Sequence, residues 1–319
     1  MDNNQNIPDS VRNQRVLELM DRGEMTKVAQ ASTEFIRTQI REDAFTFKII
    51  PFEKATDDML DRGLDERLRF IRELEPDSPG AKWVPLEGVP EGEYMVGPRY
   101  EIPVARLVTP RLVKNIDELR TYKMDLRKVL LSNTIKDGEA EIDRKLIDTC
   151  TAIVTDTAGV VPNVAQTYTG KVQWTGFSGG LTRENFIEAK KMLPRGNSSG
   201  KYRLRNYIAL MNEVTAQDWM KLSALEVGDE TVKQMFKEGL TTDTYLGVKC
   251  IFTIKSDIVG DNKVWFFAAP EFLGNGYILQ DWTTYMKKEA YFIELFSYWL
   301  GGFSIGNIAA VALADFDFA

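Results

Sequence analysis

The stretch AYFIELFSYWLGGFSIGNIAAVALADFDF, residues 290–318, decides the fold. From Leu295 to Ala314 it carries no charge for about twenty residues, the length that crosses a bilayer as a helix. Its internal pattern says otherwise. Tyr291, Ile293 and Leu295 alternate with Phe292, Glu294 and Phe296, a period of two. Gly301, Gly302, Gly306, Asn307 and two serines then interrupt the run, and Ile308, Ala310 and Ala312 are set against Ala309, Val311 and Leu313. The end is the amphipathic Asp315-Phe316-Asp317-Phe318. Two strands joined by a glycine-rich connection account for the stretch, with no membrane span.

Working back from it, residues 162–280 alternate between strands and helices. Lys171–Trp174, Arg203–Met211, Gly247–Phe252 and Val264–Ala268 read as strands, with a turn at Gly176–Gly180. A helix is expected from Thr182 to Leu193, and another over Gln217–Leu225 capped by Thr215 with Asp218. Further back, Asn115 with Glu118 makes a capping box for a helix carrying Leu119, Tyr122, Leu126, Val129 and Leu130. Asp137-Gly138 punctuates, and a second helix begins near Glu139, with Ile142, Leu146, Cys150, Ile153 and Val154 on one stripe, ending near Gly159 and Pro162.

Residues 64–108 are of a different kind. Leu68, Phe70 and Leu74 interleave with Arg67, Arg69 and Glu73, and Pro76, Pro79-Gly80, Pro85, Gly88, Pro90, Gly92 and Gly97-Pro98 follow, excluding helix. An extended run from Tyr100 to Val108 returns, so the segment reads as one long two-stranded excursion. Its tip has too little apolar content to bury itself, which suits a covering over a neighbouring subunit or domain. Residues 11–41 suit short helices or an arm, behind a flexible ten-residue tail.

The 319 residues contain no histidine, which removes imidazole-based triads, proton shuttles and His-containing zinc sites. Any transition triggered near pH 6 would have to titrate carboxylates instead. With 44% apolar and 27% charged residues the chain has material for one large or two modest cores. The net charge is −7 and the pI about 5.0, with 12 acids against 7 bases in residues 51–100 alone, so no broad attraction to phosphate backbones exists. Cys150 and Cys250 are two lone thiols without knuckle or redox spacing, and MDNNQNIPDS has neither region of a signal peptide, which points to cytoplasmic synthesis.

Candidate chemistry fails in turn. GFSGGLT, FLGNGY and LGGFSIGN lack the Gly-Lys-Ser/Thr ending of a phosphate loop. Asp57-Asp58, Asp65-Glu66 and Asp229-Glu230 are adjacent acids on polar text rather than carboxylates placed around a reacting centre. No catalytic residue, cofactor or metal is expected. The strongest positive string, Lys190, Lys191, Arg195, Lys201, Arg203 and Arg205, interleaves with Tyr202 and Tyr207 and is a candidate weak DNA-facing patch, against the plainer reading of a solvated turn and strand. Trp83, in a segment without a core, is a candidate anchor in a partner's pocket.

The order of elements resembles the major capsid proteins of tailed bacteriophages, the α+β Hong Kong 97 fold. The resemblance covers most of the chain and rests on LTRENFIEAKKML, YIALMNEVTAQDWMKLSAL, GVKCIFTIKSDIV followed by FFAAPEFLG, and the closing stretch, in that order and spacing. It implies an N-terminal arm (1–63), an extended loop (64–108), a peripheral domain with the spine helix (109–166), an axial domain (167–280), and a return to the peripheral domain with C-terminal strands (281–319). It further implies a virion protein, not an enzyme, whose hexamers and pentamers tile an icosahedral shell around double-stranded DNA. Lys82, Trp83, Tyr94 and Arg99 become the candidate contacts between subunits. Expected partners are copies of itself, a portal and a decoration protein. A separate scaffolding protein is also expected, because the arm is too short to contain one. Lys82 is the one lysine of the loop and receives no catalytic role. An encapsulin-type compartment shares the fold, and a carboxylate-dependent oligomeric hydrolase is the alternative from another class.

Overall fold

The computed structural model describes residues 42–62, 67–74, 83–89, 92, 97, 99–117, 126–159, 173–195, 204–218 and 244–317. Along them run strands β1 (Phe52–Lys54), β2 (Asp61–Arg62), β3 (Leu68–Glu73), β4 (Arg99–Pro103), β5 (Ala105–Val108) and β6 (Leu112–Asn115). The 34-residue helix α1 (Leu126–Gly159) follows, then β7 (Trp174–Ser178), helix α2 (Arg183–Lys190) and β8 (Asn206–Asn212). Strands β9 (Thr244–Tyr245), β10 (Val248–Thr253), β11 (Lys263–Ala268), β12 (Gly274–Glu289), β13 (Phe292–Ile305) and β14 (Val311–Asp317) complete the chain, an α+β fold. The chain divides into two compact units, one from the described residues within 1–46, 105–145 and 278–301, the other from those within 47–104, 146–277 and 302–319.

In the first unit, β13 pairs antiparallel with β6 over 292–295 and with β5 over 298–301. The period of two is visible as burial: Ile293, Leu295, Ser297 and Trp299 are buried, while Phe292 is exposed and Glu294, Phe296, Tyr298 and Leu300 are half-buried. Ser297 is tolerated inside because its hydroxyl shares a hydrogen bond with the Thr284 hydroxyl at 3.0 Å, while its backbone N–H donates to Thr109 Oγ1 at 2.8 Å and its carbonyl accepts from Thr109 N at 2.8 Å. The long uncharged run is therefore sheet. Among the described residues no helix is long and apolar enough to cross a membrane.

In the second unit a six-stranded sheet has the order β7-β14-β11-β8-β10-β9, with β10 parallel to β8 and β7 parallel to β14. Phe186 of α2 packs its ring 5.5 Å from Phe266 of β11 and 5.2 Å from Tyr245 of β9, seating the helix on one face of the sheet. Thr182 caps α2, its side chain accepting Asn185 N–H at 3.2 Å. Strand β14 is buried on both faces, so Val311, Ala312, Leu313 and Ala314 are all inside and the alternation read there has no solvent side.

Several boundaries differ from the sequence reading, each for a local reason. Gly301 and Gly302 lie within β13, and the connection to β14 is Gly306–Ala310. Gly302 is there for close approach: a Cβ would stand 2.0 Å from the Pro103 carbonyl oxygen. The returning run Tyr100–Val108 is two strands, β4 beside β3 and β5 beside β13, broken after Pro103, which has no N–H to give a ladder. Gly176–Ser178 belongs to β7, and the turn falls at Gly179 and Gly180, both at positive φ. After β8 the cap is Asn212, accepting Val214 N–H at 3.2 Å, while the Thr215 hydroxyl is buried and accepts Asn262 N–H at 2.9 Å. Asn115 does accept Asp117 N–H at 3.0 Å, as a cap should; the helix beyond it, the arm before residue 42 and the expected helix 217–225 beyond Asp218 lie outside the described residues.

The largest difference is at Gly138, where the expected break is absent and α1 runs straight through. A methyl group on Gly138 would stand 2.1 Å from Trp282 Cη2 of β12, so the glycine admits an indole ring and does not end a helix. Gly138→Ala is expected to destabilise by about 2 kcal/mol through overpacking, although alanine is the better helix former by about 1 kcal/mol. Urea unfolding measures it, and Trp282→Phe in the same background is expected to return part of the loss. A midpoint at or above the parent's would overturn the packing explanation.

Candidate assembly surfaces

Within the segment 64–108 the described residues form a fixed base, and those described at its tip are unburied. Strands β3 and β4 pair antiparallel from Arg69↔Pro103 to Glu73↔Arg99. Phe70 and Ile102 are buried partners across that ladder, and Phe70 stacks on Tyr277 at 4.3 Å. Arg72 reaches from β3 over the same Tyr277 ring at 5.2 Å and pairs with Glu53 of β1 at 3.1 Å. On the same base Arg69 meets Glu101 at 2.8 Å and Asp61 at 3.7 Å, and Arg99 meets Glu73 at 2.8 Å. Each pair is solvent-accessible and contributes at most about 1 kcal/mol. The buried aromatics are the stronger anchor. Burial holds the phenol of Tyr100 above its ordinary value, against a smaller opposing pull from the Arg72 guanidinium.

Beyond this base the described part of the tip, residues 83–89, is a turn closed by Gly88 N–H to Pro85 O at 2.8 Å. Trp83 and Leu86 are fully exposed and Val89 nearly so. Trp83, the candidate anchor, is among these exposed side chains. Arg99 lies at the root of the hairpin, held by Glu73. Lys82 and Tyr94 lie outside the described residues.

Four residues of the basic string fall within the described part. Lys190 Nζ donates to the Leu246 carbonyl, and Lys191 Nζ is paired with Glu188. Arg205 is exposed just before β8, and Arg195 ends a short helical turn, Met192–Arg195. Lys201 and Arg203 lie outside the described residues.

Sequence reasoning missed one polar centre. Asp143, wholly buried on α1, accepts Thr46 N–H at 2.9 Å, Phe45 N–H at 3.3 Å and the Thr46 hydroxyl at 2.6 Å, fastening the segment before β1 to the helix. Next to it, buried Lys136 pairs with Glu139 at 2.8 Å and with Asp43. The available signal was Asp143 with Ile147, Cys150 and Val154, spacings that put an acid on the apolar stripe. These groups are spent on backbone and on each other.

Other chemistry-bearing groups do not converge. Asp57 and Asp58 form an exposed helical turn, and Asp65-Glu66 and Asp229-Glu230 lie outside the described residues. Cys150 and Cys250 are buried and not joined in a disulfide, and burial pushes the Cys150 thiol well above its ordinary range. Among the described residues no three metal-ligating side chains gather. A shallow cavity of about 580 Å³ beside the hairpin is lined by Met59, Asp61, Ile71, Arg72, Glu73 and Arg99, charges already engaged with partners.

No family model and no curated protein matches the sequence. Solved structures do match, over nearly the whole chain. The mature capsid of bacteriophage PhiM1 aligns at TM-score 0.58, covering 90% of this chain and 91% of that one at 8% identity. The chain has the phage-capsid fold. The capsid of the native GTA particle agrees at TM-score 0.57 with 14% identity, 89% of this chain against 93% of that one. The capsid of cyanophage P-SCSP1u agrees at 0.53 with 10% identity, 90% against 91%. At such identities the capsid fold persists while the side chains on its surfaces are largely this chain's own.

Proposed function

We propose that this chain is the major coat subunit of a tailed-phage head, assembling as hexamers and pentamers into an icosahedral shell around double-stranded DNA, and that it is not an enzyme. What carries the reading is the hairpin: a capsid fold whose hairpin base is locked by Phe70, Ile102 and Tyr277 while Trp83, Leu86 and Val89 are exposed. An isolated subunit gains nothing from exposing them, and apolar side chains grouped at a tip mark a contact. The division proposed is an arm over 1–63, a loop over 64–108, a peripheral domain over 109–166 and 281–319, and an axial domain over 167–280.

Its location would be the virion, after synthesis in the host bacterial cytoplasm. Partners would be further copies, a separate scaffolding protein, a portal and a decoration protein. Contact with the packaged DNA would be weak and non-specific, since the net charge is −7 and both Lys190 and Lys191 are engaged within the subunit. The test is sedimentation velocity and negative-stain microscopy of the full chain, alone and with a co-expressed candidate scaffold. Capsomers or closed shells are expected in at least one condition. A monomer in every condition would overturn the proposal.

A further inference from the structure

We infer that Lys136 of α1 and Asp43, in the segment before β1, condense within one chain into an isopeptide bond, with Glu139 carrying the proton. All three lie in the first compact unit. Lys136 Nζ touches an Asp43 carboxylate oxygen and stands 2.8 Å from Glu139 Oε2. The Lys136 side chain is only 6% exposed and that of Glu139 16%, so an amine and two carboxyl groups meet largely out of water, where separate charges cost more than a neutral amide. Asp43 is half exposed, which leaves the released water a way out. The ion pairs of Lys191 with Glu188 and of Lys287 with Glu289 lack this burial, their lysines being more than two-fifths exposed.

The helix and the clasp on it hold the reactants together. Lys136, Glu139 and Asp143 are spaced three and four apart, which puts them on one face of α1. Two turns beyond Lys136, Asp143 accepts the N–H groups of Phe45 and Thr46, and Ala44 and Phe45 are buried, so the chain on either side of residue 44 is laid along that face and Asp43 is restrained beside the amine. Contact enforced in this way replaces a collision in solution, with effective molarities of about 10⁵ M or more for well-oriented groups.

The atoms balance without an oxidant, metal or cofactor. The Lys136 ammonium passes one proton to the Asp43 carboxylate, giving amine and acid. The Nζ lone pair attacks Asp43 Cγ and the C–N bond forms. Glu139 takes a second proton from Nζ and returns it to the departing hydroxyl, so that the C–O bond breaks and water leaves; the third proton stays on the amide nitrogen. The product joins positions 93 apart and narrows the unfolded chain as a disulfide would.

The test is the intact mass of the full chain, denatured and reduced, followed by peptide mapping. The parent is expected to be lighter than its sequence by one water, with the deficit on a branched peptide joining Asp43 to Lys136. Asp43→Ala and Lys136→Arg are expected to abolish the branch, and Glu139→Gln to lower the linked fraction at a fixed time about tenfold or more. A parent of full sequence mass overturns the inference and leaves an ordinary ion-pair cluster. So does a deficit that maps to Asp137-Gly138, where a cyclised imide would also lose water. A Glu139→Gln chain linked as fully as the parent overturns the role given to Glu139. The parent's branched peptide decides the bond whether or not a variant folds, and it is read on denatured chains, so its outcome is separate from that of shell assembly.

Discussion

Removing residues 78–95 is expected to abolish closed shells while leaving the subunit folded. The hairpin ladder ends at Glu73↔Arg99, so residues 74–77 and 96–98 remain to close it, and every buried group of the base, Phe70, Ile102 and Tyr277, is retained. The described residues of the deleted segment bury nothing in their own subunit: Trp83, Leu86, Glu87 and Val89 are exposed. Circular dichroism and the urea midpoint should therefore match the parent, and microscopy should show no closed particles. Trp83→Ala alone should have a graded effect, weakening each contact by about 2 kcal/mol, the scale of a truncated aromatic anchor. Repeated over every subunit of a shell, that loss raises the concentration needed for assembly. Loss of folding in the deletion, or normal shells from it, would refute the separation of base from tip.

Asp143→Ala is expected to produce the largest loss of stability of any single substitution considered, about 3 kcal/mol, because it strands the buried N–H groups of Phe45 and Thr46 and the Thr46 hydroxyl together. Asp143→Asn should cost less, since one oxygen can still accept. Both are read as shifts in the urea midpoint. Hydrogen exchange at Phe45 and Thr46 should accelerate in the alanine variant, since their acceptor is gone. An alanine variant that unfolds with the parent would mean that water replaces the carboxylate without loss, and that the clasp between α1 and the segment before β1 is incidental.

What the sequence made legible follows from where the solvent is. In β13 one side faces water, so Ile293, Leu295 and Trp299 alternate with less buried neighbours and the strand can be read directly. In β14 neither side does, and alternation carries no information. Glycine was the recurrent ambiguity. Gly138 and Gly302 read as punctuation, yet both mark close approach, one to the Trp282 ring and one to the Pro103 carbonyl, contacts made by residues 144 and 199 positions away. The long strand β12 was hidden for a related reason: Gly274-Asn-Gly opens it in place of a turn, and its largely half-buried middle shows no clean period. Asp143 was overlooked because a single acid on a helix usually faces solvent; only its place on the stripe with Ile147, Cys150 and Val154 distinguishes it.

Of the candidate surfaces, the loop was legible because its composition contradicts burial, and Trp83 stood out as an aromatic residue without a core. In the basic string the sequence did not announce the contacts that Lys190 makes with the Leu246 carbonyl and Lys191 with Glu188.

The most direct measurement is an electron cryomicroscopy reconstruction of particles formed by the full chain, alone or with its scaffold, resolved well enough to place the subunit. The expected map is an icosahedral lattice of hexamers and pentamers in which residues 74–98 of each copy lie over a neighbouring copy. A chain that stays monomeric, or a shell in which the loop folds back on its own subunit, would contradict the account.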